Sequence, residues 1–188
     1  MGINMSEYYL ISQLPSLDGI GENMPLPITE ERFSELCNRF LGKKARNELK
    51  NLTLLPPKSQ EYSSSALLKA WSESERTLRL SLGKARAEKL KKPFDAGNRV
   101  LPMEYLKVAS TAIEMDNPME AEKYLNRYRL ELLEALRPMD NFSEDFVFYY
   151  GLKLKLLLRI RQFDADAGEA AYRNIYNSIL NGDRLEAI

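Results

Sequence analysis

The four residues Asn117-Pro118-Met119-Glu120 and the run behind them constrain the fold more tightly than any bulk property of the chain. Asn is a favoured helix N-cap, and Pro at the first helical position forfeits a hydrogen bond that would not have formed. A Glu three residues after the cap can reach back to the cap N–H. Ala121, Tyr124, Leu125, Tyr128, Leu132, Ala135 and Leu136 then recur at helical spacing, with Pro138 just past the end.

The same grammar repeats along the chain. Thr29, with Glu30 and Glu31 in the first turn, precedes the stripe Phe33, Leu36, Cys37, Phe40 and Leu41. A second short helix is expected over 43–52, broken by Leu55-Pro56-Pro57. Ser64 or Ser65 can cap a long helix to about residue 91 with Leu67, Trp71, Ser74, Leu78, Leu82 and Ala85 on one side and Glu75–Arg79 as an i,i+4 pair. Pro93, Gly97 and Pro102 mark a linker, with Pro102 as the first residue of a helix carrying Leu106, Ala109 and Ile113. Ser143 opens a helix over 143–163 that is apolar nearly all round, through Phe146, Tyr149, Tyr150, Leu156, Leu157 and Ile160, and is therefore expected at the centre. A capping box at residues 166–169, the stripe Ala171, Tyr172, Ile175 and Ile179, and Gly182 describe a last helix. The expected fold is all-α. It is a single helical bundle of about six or seven helices over residues 1–188, with a sub-boundary option near 92–102. The short apolar segment 8–15 is too brief for periodicity to decide, and the expectation allows it to be extended. Residues 16–28, with Gly19, Gly21, Pro25 and Pro27, read as a loop.

Apolar residues make up 44% of the 188 and charged residues 29%, ordinary globular values that argue against disorder. No run reaches the roughly 18 apolar residues of a spanning helix, and the first residues lack the pattern of a signal peptide. One cysteine, Cys37, excludes an intramolecular disulfide, fits a reducing compartment, and lies on an apolar stripe as a core residue does. The expected location is cytoplasmic. Lys plus Arg equals Asp plus Glu at 27 each, which argues against a dedicated nucleic-acid binder. The charges are nonetheless segregated: residues 69–92 hold eight basic and three acidic groups, and residues 103–146 hold five basic and ten acidic. The two regions either face each other, lie on solvated faces, or meet a partner of opposite sign. Lys84, Arg86, Lys89, Lys91 and Lys92 form the one basic run. It reads as a solvated helix end, with a phosphate or acidic-partner contact as the sharper alternative.

The chain contains no histidine, which removes the usual general base, metal ligand and nucleophile activator. Gly19-Ile20-Gly21 does not complete a phosphate-binding glycine pattern. Asp140, Glu144 and Asp145, and again Asp164, Asp166 and Glu169, straddle expected helix starts, where negative charge offsets the helix dipole. Tyr8, Tyr9, Tyr124, Tyr128, Tyr149 and Tyr150 read as core and interface aromatics. No catalytic residue, cofactor or metal is expected.

The opening Tyr8-Tyr9-Leu10-Ile11-Ser12-Gln13-Leu14-Pro15 resembles the YYYL-x-x-S-L-P start of a bacterial family encoded within V-type ATP synthase operons and described as similar to the C-type component of those enzymes. Asn117-Pro118-Met119-Glu120-Ala121-Glu122 and Tyr149-Tyr150-Gly151-Leu152-Lys153-Leu154-Lys155 are similar to that family's pattern, as are Arg161-Gln162-Phe163-Asp164 and Gly168. The resemblance implies a non-catalytic, all-helical subunit or accessory of a rotary ATPase, coupling the central stalk to the proton- or sodium-transporting membrane ring. Its partners would be other V-type ATPase subunits, with the membrane met only through the complex and the chain peripheral to the inner membrane. It is shorter than a typical C-type component, so it would replace one in reduced form or assist it. Such a coupler needs exposed anchors. The candidates are Tyr8 and Tyr9 with the loop that begins at Pro15, and the cations Lys153 and Arg159 on the central helix, which pair with the acidic region 104–145 or reach a partner. The rival from another class is a tetratricopeptide-like adaptor over residues 105–138, with Ala109, Ala112 and Ala121 at small-residue positions. A solenoid needs about three repeats, and no second copy recurs at that period.

Overall fold

The computed structural model describes residues 5–20, 24–57, 64–162, 173 and 175–177, and among these the chain is helical throughout with no strand. Seven helices carry the fold. They are α1 (Met5–Ser12), α2 (Glu30–Phe40), α3 (Lys43–Lys50), α4 (Ala66–Lys89), α5 (Met103–Glu114), α6 (Pro118–Ala135) and α7 (Glu144–Arg161). Helical backbone recurs at Arg173 and at 175–177. The capping box at residues 166–169, Gly182 and the cluster Asp164, Asp166 and Glu169 lie outside the described residues. So do Gly21, Phe163 and Gly168. Of the last stripe, Ile175 is described and is exposed.

Four helix starts are fixed by side-chain caps. Thr29 Oγ1 accepts from Arg32 N at 3.2 Å, Ser65 Oγ from Leu68 N at 3.1 Å, Asn117 Oδ1 from Met119 N at 2.9 Å and Ser143 Oγ from Phe146 N at 3.3 Å. Each satisfies one of the orphan N–H groups of a first turn, a contribution of about 1 kcal/mol. Two sequence expectations shift. Pro102 is the cap itself, extended at ψ 146°, rather than the first helical residue. Glu120 turns to Lys123 at 3.6 Å instead of closing a capping box.

Segment 8–15, left open between strand and helix, forms α1 and the turn after it. Leu10 is fully buried and both Ile11 and Leu14 pack against the same core, the i, i+1, i+4 pattern of a helix, whereas a strand would turn Leu10 and Ile11 to opposite faces. The helix closes on the carbonyl of Tyr9, which accepts from Ser12 Oγ at 3.0 Å and Gln13 Nε2 at 3.1 Å, and Pro15 prevents continuation.

Among the described residues the interior consists of two cores. The larger gathers α1, α2, α3, the N-terminal part of α4, the C-terminal part of α6, and α7, around Trp71, Leu133, Leu152, Leu154 and Leu156. The smaller joins Leu78, Leu82 and Ala85 of α4 to Val108, Ala109 and Ala112 of α5 and Leu125 of α6. The division cuts across α4 and α6 rather than falling at 92–102. That segment is instead a strap that returns along α4. Phe94 lies against Gly83, where an added Cβ would stand 2.9 Å from the ring, and Arg99 pairs with Glu73. Helix α5 therefore starts beside the middle of α4 and runs parallel to it, ending where Lys89 Nζ donates to Ile113 O at 2.7 Å. Lys89 of the basic run thus caps the orphan carbonyls of a neighbouring helix. The α5–α6 connection is an antiparallel hairpin, with Tyr105 edge-on to Tyr128 at 5.9 Å.

Helix α7 is the spine, as its all-round apolarity implied: ten of its residues, from Val147 to Leu157, are buried. Gly151 sits where a Cβ would meet Leu52 Cδ2 at 2.8 Å and the Phe33 ring at 3.1 Å, so a glycine lets three elements close on one point. Cys37 is a fully buried core residue, and burial pushes its thiol up to about 12.

At the seam between the cores lies a polar crossing. On α4, Glu75 stands between Trp71 of the larger core and Leu78 of the smaller; on α6, Arg129 stands between Leu125 and Leu133. The two meet as a bidentate pair, Nε–Oε2 at 3.0 Å and Nη2–Oε1 at 3.2 Å, with both side chains almost wholly buried. Arg79 holds Glu75 from the outside at 2.8 Å, and Arg129 reaches Asn126 Oδ1 at 3.2 Å and Glu122 at 3.5 Å. Glu122 in turn binds Arg159 of α7 at 2.5 Å. The buried face of α6 is accordingly Leu125, Asn126, Arg129 and Leu133, one residue away from the all-apolar stripe expected, and on α4 Glu75 replaces Ser74.

Candidate functional site

The most exposed aromatic surface among the described residues is built on α1. Leu10 anchors the helix, and the chain geometry then turns the preceding pair outward: Tyr8 is 48% and Tyr9 54% exposed. Their rings meet edge to face at 6.3 Å, and Tyr8 stacks at 5.0 Å and 23° on Phe142, itself well exposed at the mouth of α7. Phe142 is held there by its backbone N–H, which donates to Asp140 Oδ1 at 2.9 Å. Asp140 and the first-turn residues Glu144 and Asp145 therefore serve the start of α7, as their spacing implied. Burial, then the nearby carboxylates Glu7 and Glu48, holds Glu144 above the usual carboxylate range.

Behind this face, the turn after α1 is clamped to α7. Tyr150 donates to Pro15 O at 2.8 Å, and Leu17 and Ile28 pin the two ends of the loop into the larger core. A cleft of about 200 Å³ opens between Pro15, Asp18, Arg137, Phe146 and Lys153. In it the Lys153 ammonium lies 2.5 Å from both Asp18 and Glu134, while Tyr149 donates to Glu134 Oε2 at 2.8 Å. Arg137 stands 3.6 Å from Asp18 and 5.7 Å from the centres of the Phe146 and Tyr149 rings. Burial alone would lower the Lys153 ammonium, but its hydrogen bonds to Asp18 and Glu134 outweigh that and hold it above its ordinary range. The same bond from Lys153 keeps Asp18 below the usual carboxylate range against partial burial. Burial and the Glu134 contact push Tyr149 up to about 12. The cluster is charge-matched and closed: it locks the loop to the spine.

The residues singled out from the sequence thus divide. Tyr8 and Tyr9 are together on the surface. Pro15 is half-buried, with its carbonyl engaged. Lys153 is buried and faces Asp18 and Glu134, and Arg159 binds Glu122, so both cations satisfy the acidic region 104–145. Lys155 pairs instead with Glu30, and Arg161 donates to Met24 O. The two oppositely charged regions meet where α4 packs on α5 and α6. The ion pair linking them, however, has its acid, Glu75, in the basic region and its base, Arg129, in the acidic one. Phe142, Asp18, Glu134 and Arg137 were not singled out. An aromatic immediately before an N-cap was the one local signal for Phe142; its partner Tyr8 is too far away in sequence to be seen.

Among the described residues no group of three or more His, Cys, Asp or Glu side chains could hold a metal ion, and no helix is long and apolar enough to cross a membrane. One residue of the opening and one of 117–122 meet α7, Pro15 O accepting from Tyr150 and Glu122 binding Arg159, while Lys153 and Tyr149 of α7 bind Glu134 of α6. In comparisons with known proteins, no family model, no curated protein and no solved structure matches the chain.

Proposed function

We propose that this chain is a non-catalytic subunit or accessory of a V-type rotary ATPase that docks on other subunits through Tyr8, Tyr9 and Phe142. The observation that carries the reading is the contrast within one motif. Its Leu10 and Pro15 are used inside the fold, whereas Tyr8 and Tyr9 stand half-exposed with a third ring stacked on them. Large rigid aromatics are the commonest anchors of protein interfaces, and leaving three together in water has no folding rationale. The resemblance of the quoted stretches supports the choice of assembly. A stiff body also suits a coupler, and the Arg79–Glu75–Arg129–Glu122–Arg159 chain ties α4, α6 and α7 together.

The test is a Tyr8→Ala/Tyr9→Ala double variant assayed for assembly with purified stalk and ring subunits. The variant is expected to melt cooperatively, because neither ring is buried, and to bind at least about 30-fold more weakly, the loss of one hot spot. Unchanged assembly would overturn the assignment of this face. The tetratricopeptide alternative has one hairpin, α5–α6, at the residues it names, and the parallel course of α4 and α5 gives it no preceding hairpin to stack on.

A further inference from the structure

We propose that the Tyr8, Tyr9 and Phe142 face receives a basic segment of another protein, one that lays arginine or lysine side chains on the three rings and between the carboxylates beside them. The inference rests on the reading of this face as a docking surface and names the chemistry of what docks. Tyr9 meets Tyr8 at 6.3 Å and Tyr8 meets Phe142 at 5.0 Å, so the exposed rings form a row. Aromatic faces open to water are natural seats for a guanidinium or ammonium group. This chain already uses its own rings so: Arg137 lies over Phe146 and Tyr149, and Lys153 over Tyr149, each at 5.7 Å.

The charges around the row select the same partner. Stacking of Tyr8 on Phe142 brings the first turn of α1 beside the start of α7. The two stretches that carry the rings, α1 and residues 138–146, contain Glu7, Asp140, Glu144 and Asp145 and no lysine or arginine. Elsewhere along α7 carboxylates find cations: Glu30 meets Lys155, Glu122 meets Arg159, and Asp18 and Glu134 meet Lys153. Asp140, Glu144 and Asp145 form no ion pair among the described residues. Arg137, just before this stretch, is committed to Asp18. Burial, Glu7, Glu48 and Asp145 together hold Glu144 above the usual carboxylate range, and Lys44 offsets only part of that. A helix dipole favours an acid at each start taken singly. It does not account for two starts pooling their acids around exposed rings in a chain of zero net charge. A cationic segment does, whereas an anionic bilayer or a nucleic acid would be repelled by the same rim.

The experiment titrates the ¹⁵N-labelled full chain with two short capped alanine–leucine peptides, one carrying arginines and the other glutamates at the same positions. The amides of Tyr8, Tyr9, Phe142 and Glu144 report binding. The arginine peptide should shift them saturably, bind at least about tenfold more tightly than the glutamate peptide, and weaken at least about threefold between about 50 and 300 mM salt. Glu144→Gln/Asp145→Asn, which keeps the rings, should weaken the arginine peptide by about threefold. Equal binding of the two peptides, or shifts confined to residues away from the rings, overturns the inference. So do shifts of the same amides when the chain alone is concentrated, which would give the face to the basic region of a second copy. The docking reading is judged separately, by the assembly of Tyr8→Ala/Tyr9→Ala. Assembly lost with the rings but untouched by Glu144→Gln/Asp145→Asn, with both peptides bound alike, sinks the basic partner and keeps the docking face. Arginine-selective binding at the rings, with assembly unaffected by Tyr8→Ala/Tyr9→Ala, keeps the basic partner and removes the rotary subunits as its source.

Discussion

Glu75 and Arg129, 54 residues apart, meet as a bidentate ion pair where α4 and α6 pass from one hydrophobic core to the other. Each side chain is nearly removed from water, and Arg79 and Glu122 reach the pair only from its two sides. Removing one partner by Glu75→Gln or Arg129→Met should cost about 3 kcal/mol in urea unfolding, because a buried charge loses its bidentate partner and keeps only Arg79 or Glu122 at its side. Replacing both, as Glu75→Leu with Arg129→Met, should recover at least about 2 kcal/mol of the summed losses. Additive losses would mean that the pair is not coupled and that the seam is held by its apolar neighbours.

This pair also marks the limit of what the sequence could reveal. Thr29, Ser65, Asn117 and Ser143 announced their helices because a cap acts over three residues, and α7 declared itself central by having no polar face. Helix α1 did not, since eight residues are too few for a period to separate from an apolar run. Glu75 read as the i,i+4 partner of Arg79, which it is, but it is buried and both its carboxylate oxygens also face Arg129 on another helix. Counting Arg129 and Asn126 as polar rotated the expected face of α6 by one position. The aromatic surface was half legible: Tyr8 and Tyr9 were evident, whereas Phe142 joins them only through the fold.

At the end of α4, Lys91 occupies the left-handed region at φ 53°. Lys92 N donates to Ala87 O at 2.8 Å and Lys91 N to Glu88 O at 3.1 Å, the bond pattern of a Schellman cap in which glycine usually stands. A side chain there strains the backbone by about 1 kcal/mol. Lys91→Gly should therefore raise stability in urea unfolding slightly, by up to about 0.5 kcal/mol after the larger unfolded-state entropy of glycine is subtracted. Lys91→Ala should leave it nearly unchanged.

The titrating groups set a pH profile of definite sign. Asp18 lies below its ordinary 3.8 when folded, so its stabilisation is present above that value and is lost as acid is added through the lower one. Glu144 is raised and opposes this loss. On the alkaline side Cys37 is raised from 9.0, Tyr149 from 10.0 and Lys153 from 10.5; each keeps its proton more firmly in the folded chain, so stability falls as pH climbs past about 9. With no histidine in the chain, the urea midpoint should be flat between about pH 6 and 8.5. A step near pH 6.5 would contradict this assignment of the titrating groups.

The docking face is the central claim, and site-directed photo-cross-linking addresses it without removing any residue of the core. Under the proposed function, a benzophenone side chain placed at Tyr9, in the chain expressed in its native cells, should cross-link on irradiation to stalk or ring subunits of a rotary ATPase identified by mass spectrometry. The same probe at Lys50, exposed at the far end of α3, should not. Cross-links from Tyr9 to no ATPase subunit, or equal yields from Tyr9 and Lys50, would contradict the account.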